Sequence, residues 1–233
     1  MAHEMEKPSR PSELYRALGE DIPSVRPIIT GDVFADAEIT EPDGTCTKRM
    51  VIILDHPCSL RTDGVTLAPR LTVAEVISGA PNAWRGNYSK MFLPKLQPEA
   101  QEEAQNFIAL LDQCYHVSPA QITAAHRIAC LSTVGINLLL QRRVHHFSRV
   151  VVPTFEFQKA NAGVYDEVDL VEDWCLERED HGIKPEEAAA ECMAWLRDES
   201  DGVRKQELLK DEQRRSTVRQ QMREHLKTLR TSA

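Results

Sequence analysis

The feature that most constrains the fold is the apolar run 51–54 (Val-Ile-Ile-Leu), which leads directly into the polar corner Asp55-His56-Pro57. Aliphatic residues without polar alternation are typical of a strand that is buried on both faces. Pro57 fixes its own φ angle and favours an extended backbone for His56, so a helix cannot pass through this corner. The sequence therefore predicts a buried strand that delivers His56 and Cys58 to one edge of a sheet.

Turn signals on both sides of this strand predict further short strands. Gly31 and Val33 open a first strand, and 41–45 (Glu-Pro-Asp-Gly-Thr) is a turn sequence because proline presets φ and glycine accepts a positive φ. More strands are expected at 65–68, 71–77 and 88–93. Three or four short strands within about fifty residues predict a small barrel or sandwich.

From Pro98 onward the apolar period changes from two residues to 3.6, which predicts helices. We expect one helix at about 98–111 and a long buried helix from the N-cap Ser118 to about Ser148. Three more helices are expected at 164–179, 185–199 and 202–229, and the last of them is polar and amphipathic.

Length, hydropathy and cysteine spacing limit the class of protein. The 233 residues, 42% of them hydrophobic, suffice for two modest cores. No apolar run approaches the roughly 18 residues that span a bilayer, and residues 1–6 are unlike a secretory signal, so we expect a cytoplasmic protein. The six cysteines are widely spaced without a CxxC motif, which favours free thiols over a zinc site or a disulfide scaffold. No motif indicates a cofactor.

Charge is sorted along the chain, although the net charge is −8. Residues 151–201 contain 15 acidic and 4 basic residues, whereas residues 202–233 contain 4 acidic and 9 basic residues. Between Asp112 and Glu156 there is no carboxylate. The arginines inside that stretch are Arg127, Arg142, Arg143 and Arg149. The negative total disfavours a protein that simply coats nucleic acid, but it leaves local contacts open.

Residues 31–72 resemble the opening of the PemK/MazF family of toxin ribonucleases. The likeness rests on Gly31-Asp32-Val33 in the first strand, on Arg49 at the head of the apolar strand and on 67–72 (Leu-Ala-Pro-Arg-Leu-Thr). The resemblance implies a small SH3-like β-barrel. It also implies metal-independent cleavage of single-stranded RNA by attack of the 2′-hydroxyl on the neighbouring phosphate, with functional roles at the positions of Arg49 and Thr72.

The same residues suit the chemistry of phosphodiester cleavage. Arg49 can offer bidentate donors to a phosphate, and Thr72 can offer a hydroxyl donor. A guanidinium with a pKa above about 12 is a poor general base, so His56 is the candidate proton carrier. We therefore predict Arg49, Thr72 and His56 as catalytic residues. The structural alternatives are an ion pair of Arg49 with Asp32 or Asp55, an ordinary strand role for Thr72 and a structural corner at His56.

Arginines near the end of the long helix form a second candidate site. The residues predicted to contact nucleic acid are Arg142, Arg143 and Arg149. The alternative is that these cations complement the negative end of the helix and pair with the acidic helix that follows Gly163. The adjacent residues His145 and His146 point apart on a helix, so we expect no metal site.

Three further hypotheses concern partners and other chemistry. The alternative function is a non-catalytic adaptor, in which the barrel is a scaffold and the basic C-terminal helix binds a protein partner. We expect such a partner, or a second copy in a homodimer, to bind through the barrel or this helix. A thiol enzyme that uses Cys58 is a third reading. The acidic segment 156–201 is hypothesised to cover the basic edge of the barrel and to mimic phosphate.

These expectations combine into one predicted architecture and function. The chain is predicted to be an α+β protein with an N-terminal arm at 1–27, an SH3-like β-barrel at 28–97 and a helical domain at 98–233 that ends in a basic helix. The predicted function is RNA binding or endoribonuclease cleavage, with RNA as the candidate partner and no contact with membranes.

Overall fold

The computed structural model describes residues 4–41, 43–61, 63–79, 84, 89–96, 106–200 and 202–231 of the 233-residue chain. These residues form an antiparallel sheet of seven strands, a two-stranded ribbon and seven α-helices. The predicted α+β class is confirmed. No helix in the described ranges is both long and apolar enough to span a bilayer.

The strands of the sheet follow the order β1-β7-β2-β3-β4-β6-β5, and all neighbouring pairs are antiparallel. They are β1 (Tyr15–Leu18), β2 (Val33–Thr40), β3 (Cys46–Ile53), β4 (Leu71–Ser78), β5 (Lys90–Leu93), β6 (Phe107–Val117) and β7 (His126–Leu131). Because β1 and β5 lie at opposite edges, the sheet formed by the described strands is open and not closed into a barrel.

The hairpin predicted from the turn sequence is formed by β2 and β3. The carboxylate of Asp43 accepts hydrogen bonds from the backbone N–H (2.9 Å) and the hydroxyl (2.7 Å) of Thr45. Gly44 has a φ of +85°, a conformation that is easy only without a Cβ atom. Residues 51–53 are fully buried in β3 between β2 and β4, as the unbroken apolar run predicts.

Residues 107–117 form β6 and not the end of the helix predicted at 98–111. β6 pairs with β4 on one side and with β5 on the other. Its apolar residues fit a helical period as well as a strand covered on both faces, and pairing with two neighbours decides the outcome. The first part of the predicted helix, 98–105, lies outside the described residues. Residues 65–68, predicted as a strand, form an irregular loop.

The long helix predicted over 118–148 is wrong in its first half. Ser118 caps a helix as expected, but this helix, α2 (Pro119–Thr123), is short. The chain then forms β7, which pairs with both β1 and β2. A second N-cap, Ser132, begins α3 (Thr133–Ser148). The capping signal was therefore correct, but the apolar residues that follow it are buried in the sheet.

The N-terminal segment is not the loosely attached arm that its prolines predicted. Leu14 is fully buried, and β1 pairs with β7 at the sheet edge. α3 approaches this segment so closely that a Cβ atom at Gly135 would lie 2.3 Å from the carbonyl oxygen of Leu14. Glu6 is also fixed, because its carboxylate accepts a hydrogen bond (2.7 Å) from the backbone N–H of Thr154 at the start of the next helix.

The chain divides into two compact units. Unit 1 contains Met1–Ile22, Ile28–Leu60 and Leu67–Lys159, and unit 2 contains Pro23–Pro27, Arg61–Thr66 and Ala160–Ala233. This division differs from the boundary predicted at 97/98, because β6 and β7 lie beyond residue 98 and belong to the sheet of unit 1.

Helices and a short ribbon make up most of unit 2. The elements are α4 (Thr154–Glu179), which begins in unit 1, α5 (Pro185–Arg197), β8 (Glu199–Ser200), β9 (Val203–Arg204), α6 (Lys205–Leu208) and α7 (Glu212–Thr231). The predicted helices are observed, but the last one begins ten residues later than predicted because the ribbon and α6 precede it. In the core, the rings of Trp174 and Trp195 lie 5.6 Å apart. The apolar stripe of α7 is buried against them through Val218, Met222 and Leu226.

In unit 1, residues 54–56 connect the end of β3 to the short helix α1 (Pro57–Leu60). Its first residue, Pro57, is buried, and so is its last, Leu60. The helix therefore fixes the polar corner that the sequence predicted, and it holds His56 at the end of the sheet.

Candidate functional site

Arg49 lies in β3 and is engaged by carboxylates. Its Nη1 donates to Oε1 of Glu75 (2.6 Å), and its Nη2 donates to Oε1 of Glu41 (2.5 Å). These hydrogen bonds, first to Glu75 and then to Glu41, raise the pKa of the guanidinium above its usual value. The ion pair is thus formed, although not with Asp32 or Asp55 as the alternative predicted. Two carboxylates occupy the donors that were assigned to a phosphate.

The register of the sheet separates Arg49 from Thr72. Ile53 is opposite Val73 in the β3–β4 pairing, which places Leu54 beside Thr72 at one end of these strands. Arg49 is five residues back along β3, and at a rise of about 3.4 Å per residue the two positions are about 17 Å apart. The predicted catalytic pair of Arg49 and Thr72 is therefore not brought together.

Thr72 instead lies at the strand end where the polar corner begins. Its backbone N–H donates to Oδ2 of Asp55 (2.6 Å), and its carbonyl oxygen accepts from the backbone N–H of Leu54 (2.9 Å). His56 follows Asp55 directly, and its Nδ1 accepts a hydrogen bond (3.3 Å) from the backbone N–H of Cys58. Two of the three predicted catalytic residues, Thr72 and His56, are thus at the same end of the sheet.

A second histidine at this strand end was missed by the sequence reasoning. His116 in β6 is directly opposite Thr72 in β4. Residues directly opposite each other in an antiparallel pair project from the same face of the sheet, so the imidazole and the hydroxyl are neighbours. No alternation in the sequence identifies His116, because Asp112, Gln113 and Cys114 are all exposed and the register of β6 shifts there.

The three arginines predicted to contact nucleic acid have different surroundings. Arg142 is buried; its guanidinium lies 4.8 Å from the ring of Trp84, and burial lowers its pKa to about 10. Arg149 is exposed at the end of α3, where its φ is +62°. Arg143 is partly buried, and its Nη1 donates to the carbonyl oxygen of Leu54. Of the three, Arg143 is the one that reaches the strand end of Thr72.

We call this group the strand-end cluster. Its members are Asp55, His56, Thr72, His116 and Arg143. Among the described residues, the hydroxyl of Thr72, the imidazole of His116 and the Nε and Nη2 of Arg143 have no hydrogen-bond partner. The cluster therefore combines the guanidinium of Arg143, the hydroxyl of Thr72 and the imidazole of His116, none of which is paired with a carboxylate among the described residues, in contrast to Arg49.

Exposed aromatic and aliphatic side chains follow Arg143 along the chain. Phe147 is one helical turn after Arg143 on α3, so both side chains project from the same face of the helix. Its side chain is 70% exposed, and its ring lies 4.9 Å from the ring of His146. Val150 and Phe155 are also largely exposed, at 56% and 63%. The end of α3, the connection and the start of α4 therefore present exposed apolar side chains.

The metal-binding and thiol side chains of the described residues are spread over both units. In the described ranges, no group of three or more His, Cys, Asp or Glu side chains is placed to hold a metal ion. Cys46, Cys58 and Cys114 are exposed, whereas Cys130, Cys175 and Cys192 are buried, and all six are free thiols. Burial raises the pKa of Cys175 to about 11, which disfavours its reactive thiolate. The thiol-enzyme reading of Cys58 stays a prediction.

The acidic segment has cationic partners within unit 2. Asp166 in α4 contacts Arg219 (2.8 Å) and Arg215 (3.1 Å) in α7. Further along the same two helices, Glu177 pairs with Arg230. We call these ion pairs between α4 and α7 the α4–α7 ladder. In this ladder, acidic residues of α4 pair with arginines of α7 and not with the sheet. It also supplies the counter-charge for the basic C-terminal helix, so the hypothesis of a phosphate mimic gains no support from these carboxylates.

No protein-family model matches the chain, and a comparison with curated proteins finds no match. Function therefore has to be argued from the residues themselves. The resemblance of residues 31–72 to the PemK/MazF family stays a prediction.

Proposed function

We propose that the chain binds single-stranded RNA and cleaves it without a metal ion, with the strand-end cluster as the site. The observation that carries the proposal is the pairing of His116 with Thr72 on one sheet face, beside a guanidinium whose Nε and Nη2 have no described partner. The likeness to PemK/MazF ribonucleases and their SH3-like barrel belongs to this proposal. It is supported by the antiparallel arrangement of β2, β3 and β4 and by the position of Thr72, but not by the surroundings of Arg49.

The proposed reaction needs two proton transfers. One imidazole takes the proton of the 2′-hydroxyl while the 2′-oxygen forms its bond to phosphorus. A second group gives a proton to the 5′-oxygen while the bond from phosphorus to that oxygen breaks. The products are a 2′,3′-cyclic phosphate and a 5′-hydroxyl. His116 and His56 are assigned these two roles, because histidine is the side chain best suited to exchange protons near neutral pH.

Arg143 is assigned the role of stabilising the negative charge that develops on the phosphoryl oxygens. One of its nitrogens is held by the carbonyl of Leu54, which orients the guanidinium without neutralising it. A guanidinium with two remaining donors suits a phosphate, and the hydroxyl of Thr72 adds one more donor. Asp55 is already engaged by the backbone of Thr72, which limits its competition for the same donors.

The exposed ring of Phe147 favours a single-stranded over a double-stranded substrate. Every base has a face that stacks on an aromatic ring, and such stacking requires a base that is not paired within a duplex. The largely exposed ring lies one turn from Arg143, where a base next to the bound phosphate can reach it.

The test measures cleavage of a fluorogenic single-stranded RNA by the full chain in the presence of EDTA. We expect His116→Ala and Arg143→Met each to lower the rate by about 100-fold or more. Matched controls are His126→Ala, an exposed histidine in β7, and Arg149→Met, an exposed arginine. Both controls are expected to retain activity, and circular dichroism checks that all variants fold.

Arg49→Ala separates this proposal from the expectation drawn from the family resemblance. Because Arg49 is paired with carboxylates about 17 Å from the cluster, we expect its loss to leave the rate unchanged. If Arg49→Ala abolishes cleavage while His116→Ala does not, Arg49 is catalytic as the family resemblance implies, and the strand-end cluster is not the site. A wild-type chain that cleaves no RNA contradicts the catalytic part of the proposal.

The adaptor alternative assigned partner binding to the C-terminal helix, and the packing of α7 bears on that assignment. Its apolar residues Val218, Met222 and Leu226 are buried in the core of unit 2, so this stripe is not available to a partner in the folded chain. Binding of a partner by unit 2 needs another surface.

A further inference from the structure

The carboxylate of Glu6 lies at the N-terminus of α4. Its Oε1 accepts a hydrogen bond from the backbone N–H of Thr154 (2.7 Å), and its Oε2 accepts one from the hydroxyl of the same residue (2.5 Å). The Nε2 of Gln141 on α3 donates a third hydrogen bond, to Oε1 (3.2 Å). Because the first N–H groups of a helix have no partner within it and form its positive end, an oxyanion is stabilised at this position.

Two buried side chains of α3 surround the same position. Gln141 is fully buried, and its Nε2 also donates to the carbonyl oxygen of Val152 (2.7 Å), which fixes the orientation of the amide. Arg142 is 1% exposed, and its Nη2 lies 3.5 Å from the backbone carbonyl oxygen of Glu6. We call Gln141, Arg142 and Thr154 the α4 niche. All three belong to unit 1.

The guanidinium of Arg142 points to an anion independently of the helix end. Its Nε is buried without a hydrogen-bond partner in the described part of the chain, and both of its Nη contacts are to carbonyl oxygens at 3.5 Å. No carboxylate in the described ranges forms an ion pair with it. A buried cation in such surroundings is costly unless negative charge lies close to it. An oxyanion in the α4 niche supplies that charge.

Glu6 also attaches the first described residues to the rest of unit 1. Glu4 and Lys7 are exposed, and every described hydrogen bond from residues 4–8 to another element involves Glu6. Burial begins further along the chain, at Leu14. Residues 4–8 therefore form a surface strap whose polar anchor is a single residue.

We propose that the α4 niche is an oxyanion-binding site, that Glu6 is its internal occupant, and that a carboxylate or phosphate group of an external ligand displaces Glu6 and opens the strap. The niche offers a backbone N–H, a hydroxyl, an amide and a guanidinium, and both kinds of oxyanion accept hydrogen bonds from such donors. A cationic or apolar ligand would leave these donors unpaired. The inference does not depend on RNA cleavage, because the niche shares no residue with the strand-end cluster.

The experiment follows the amide resonance of Thr154 by NMR in the full chain while inorganic phosphate or acetate is added. In the wild type the carboxylate of Glu6 competes with the added anion, and in Glu6→Ala this competitor is gone. We expect Glu6→Ala to bind at least one of the two anions at least tenfold more tightly than the wild type does. The matched control Glu4→Ala removes an exposed carboxylate two residues earlier and is expected to bind like the wild type. Tighter binding of phosphate than of acetate indicates a phosphate ligand, and the reverse order indicates a carboxylate.

Further variants in the Glu6→Ala background test the walls of the niche. Arg142→Met is expected to weaken anion binding at least tenfold, whereas Arg149→Met, at an exposed arginine after α3, is expected to leave it unchanged. Thr154→Ala removes the hydroxyl but keeps the N–H, so we expect it to weaken binding several-fold. Circular dichroism confirms that each variant is folded, and Glu6→Gln, which keeps the shape of the side chain without its charge, takes the place of Glu6→Ala if that variant does not fold.

The strap is measured by the heteronuclear NOE of residues 4–7. We expect the NOE to fall in Glu6→Ala, and to fall in the wild type when added anion saturates the Thr154 resonance. The inference is overturned if Glu6→Ala binds neither anion more tightly than the wild type does, or if Arg142→Met and Arg149→Met bind alike. It is also overturned if residues 4–7 stay ordered while the niche is saturated.

Discussion

Two arginines on α3 in unit 1 differ from two arginines on α7 in unit 2 in the groups that they contact. In unit 2, Arg215 and Arg219 share the carboxylate of Asp166, and the pairing continues along α4 and α7. In unit 1, Arg142 and Arg143 contact backbone carbonyl oxygens, and no carboxylate pairs with either of them among the described residues. A carbonyl group orients a guanidinium but leaves its charge uncompensated. The charges of Arg142 and Arg143 are therefore not balanced by a described carboxylate, whereas Arg215 and Arg219 in unit 2 are paired.

This difference shows why charge sorted along a sequence is a poor guide to charge in space. The acidic stretch 151–201 and the basic stretch 202–233 looked like two separate surfaces. Folding places them side by side as α4 and α7, and their charges largely cancel there. The stretch between Asp112 and Glu156 contains no carboxylate of its own, so its arginines can pair only with acidic residues from other parts of the chain.

The largest expected effect is on the core of unit 2, and it tests whether the two units are independent. Trp174→Ala removes a side chain that is 1% exposed and contacts the rings of Trp195 and His225. We expect a loss of about 3–5 kcal/mol in the free energy of unfolding of unit 2. Hydrogen exchange should then increase in α5 and α7 while β3 and β4 keep their protection. Equal loss of protection in β3 would mean that the units unfold as one.

A smaller effect separates the two kinds of arginine within unit 1. Arg127 pairs with Asp32 (3.0 Å), whose side chain is fully buried, so Arg127→Met should cost about 3–5 kcal/mol by leaving that carboxylate without this cation. Arg142→Met should change stability by no more than about 1 kcal/mol or increase it, because the change removes a buried charge that has no described carboxylate partner. Urea denaturation of both variants measures the difference. A cost of several kcal/mol for Arg142→Met contradicts the comparison.

The smallest effect concerns the ladder of unit 2. Asp166→Asn weakens two partly buried ion pairs, and we expect a loss of about 1 kcal/mol that decreases in high salt. Asp211→Asn is the matched control: its ion pair with Arg214 is exposed, and asparagine can still accept the hydrogen bond from the backbone N–H of Gln213. The control should change stability by less than about 0.5 kcal/mol. Equal effects in thermal unfolding would show that the ladder has no special role.

The parts of the fold that the sequence predicted correctly depend on short-range signals. The β2–β3 hairpin follows from the turn around Gly44, and the burial of 51–53 follows from an unbroken aliphatic run. Ser118 was recognised as an N-cap because it precedes Pro119. The parts predicted wrongly, β6 and β7, have apolar patterns that suit either a helix or a buried strand. Pairing with β4 and with β2, far away in sequence, decides between them.

The candidate site divides in the same way. Thr72 became a candidate through the resemblance to the PemK/MazF family, and His56 became one because it stands at the polar corner after the buried strand. His116 and the role of Arg143 were not found, because their relation to Thr72 depends on the β4–β6 register and on a contact between α3 and the end of β3. Arg49 was assigned to a phosphate through the family resemblance, and the ion pair weighed against it named Asp32 or Asp55, whereas Glu41 across the hairpin and Glu75 from β4 take its donors.

The amino-acid sequence by itself determined the α+β class, the turns and caps, and the segregation of charge, because each of these depends on residues within a few positions of one another. Only the tertiary structure decided which strands became neighbours, which arginines met a carboxylate and which met a carbonyl oxygen. Those outcomes depend on which distant segments fold against each other to bury apolar surface and to satisfy backbone hydrogen bonds, and no local pattern encodes that choice.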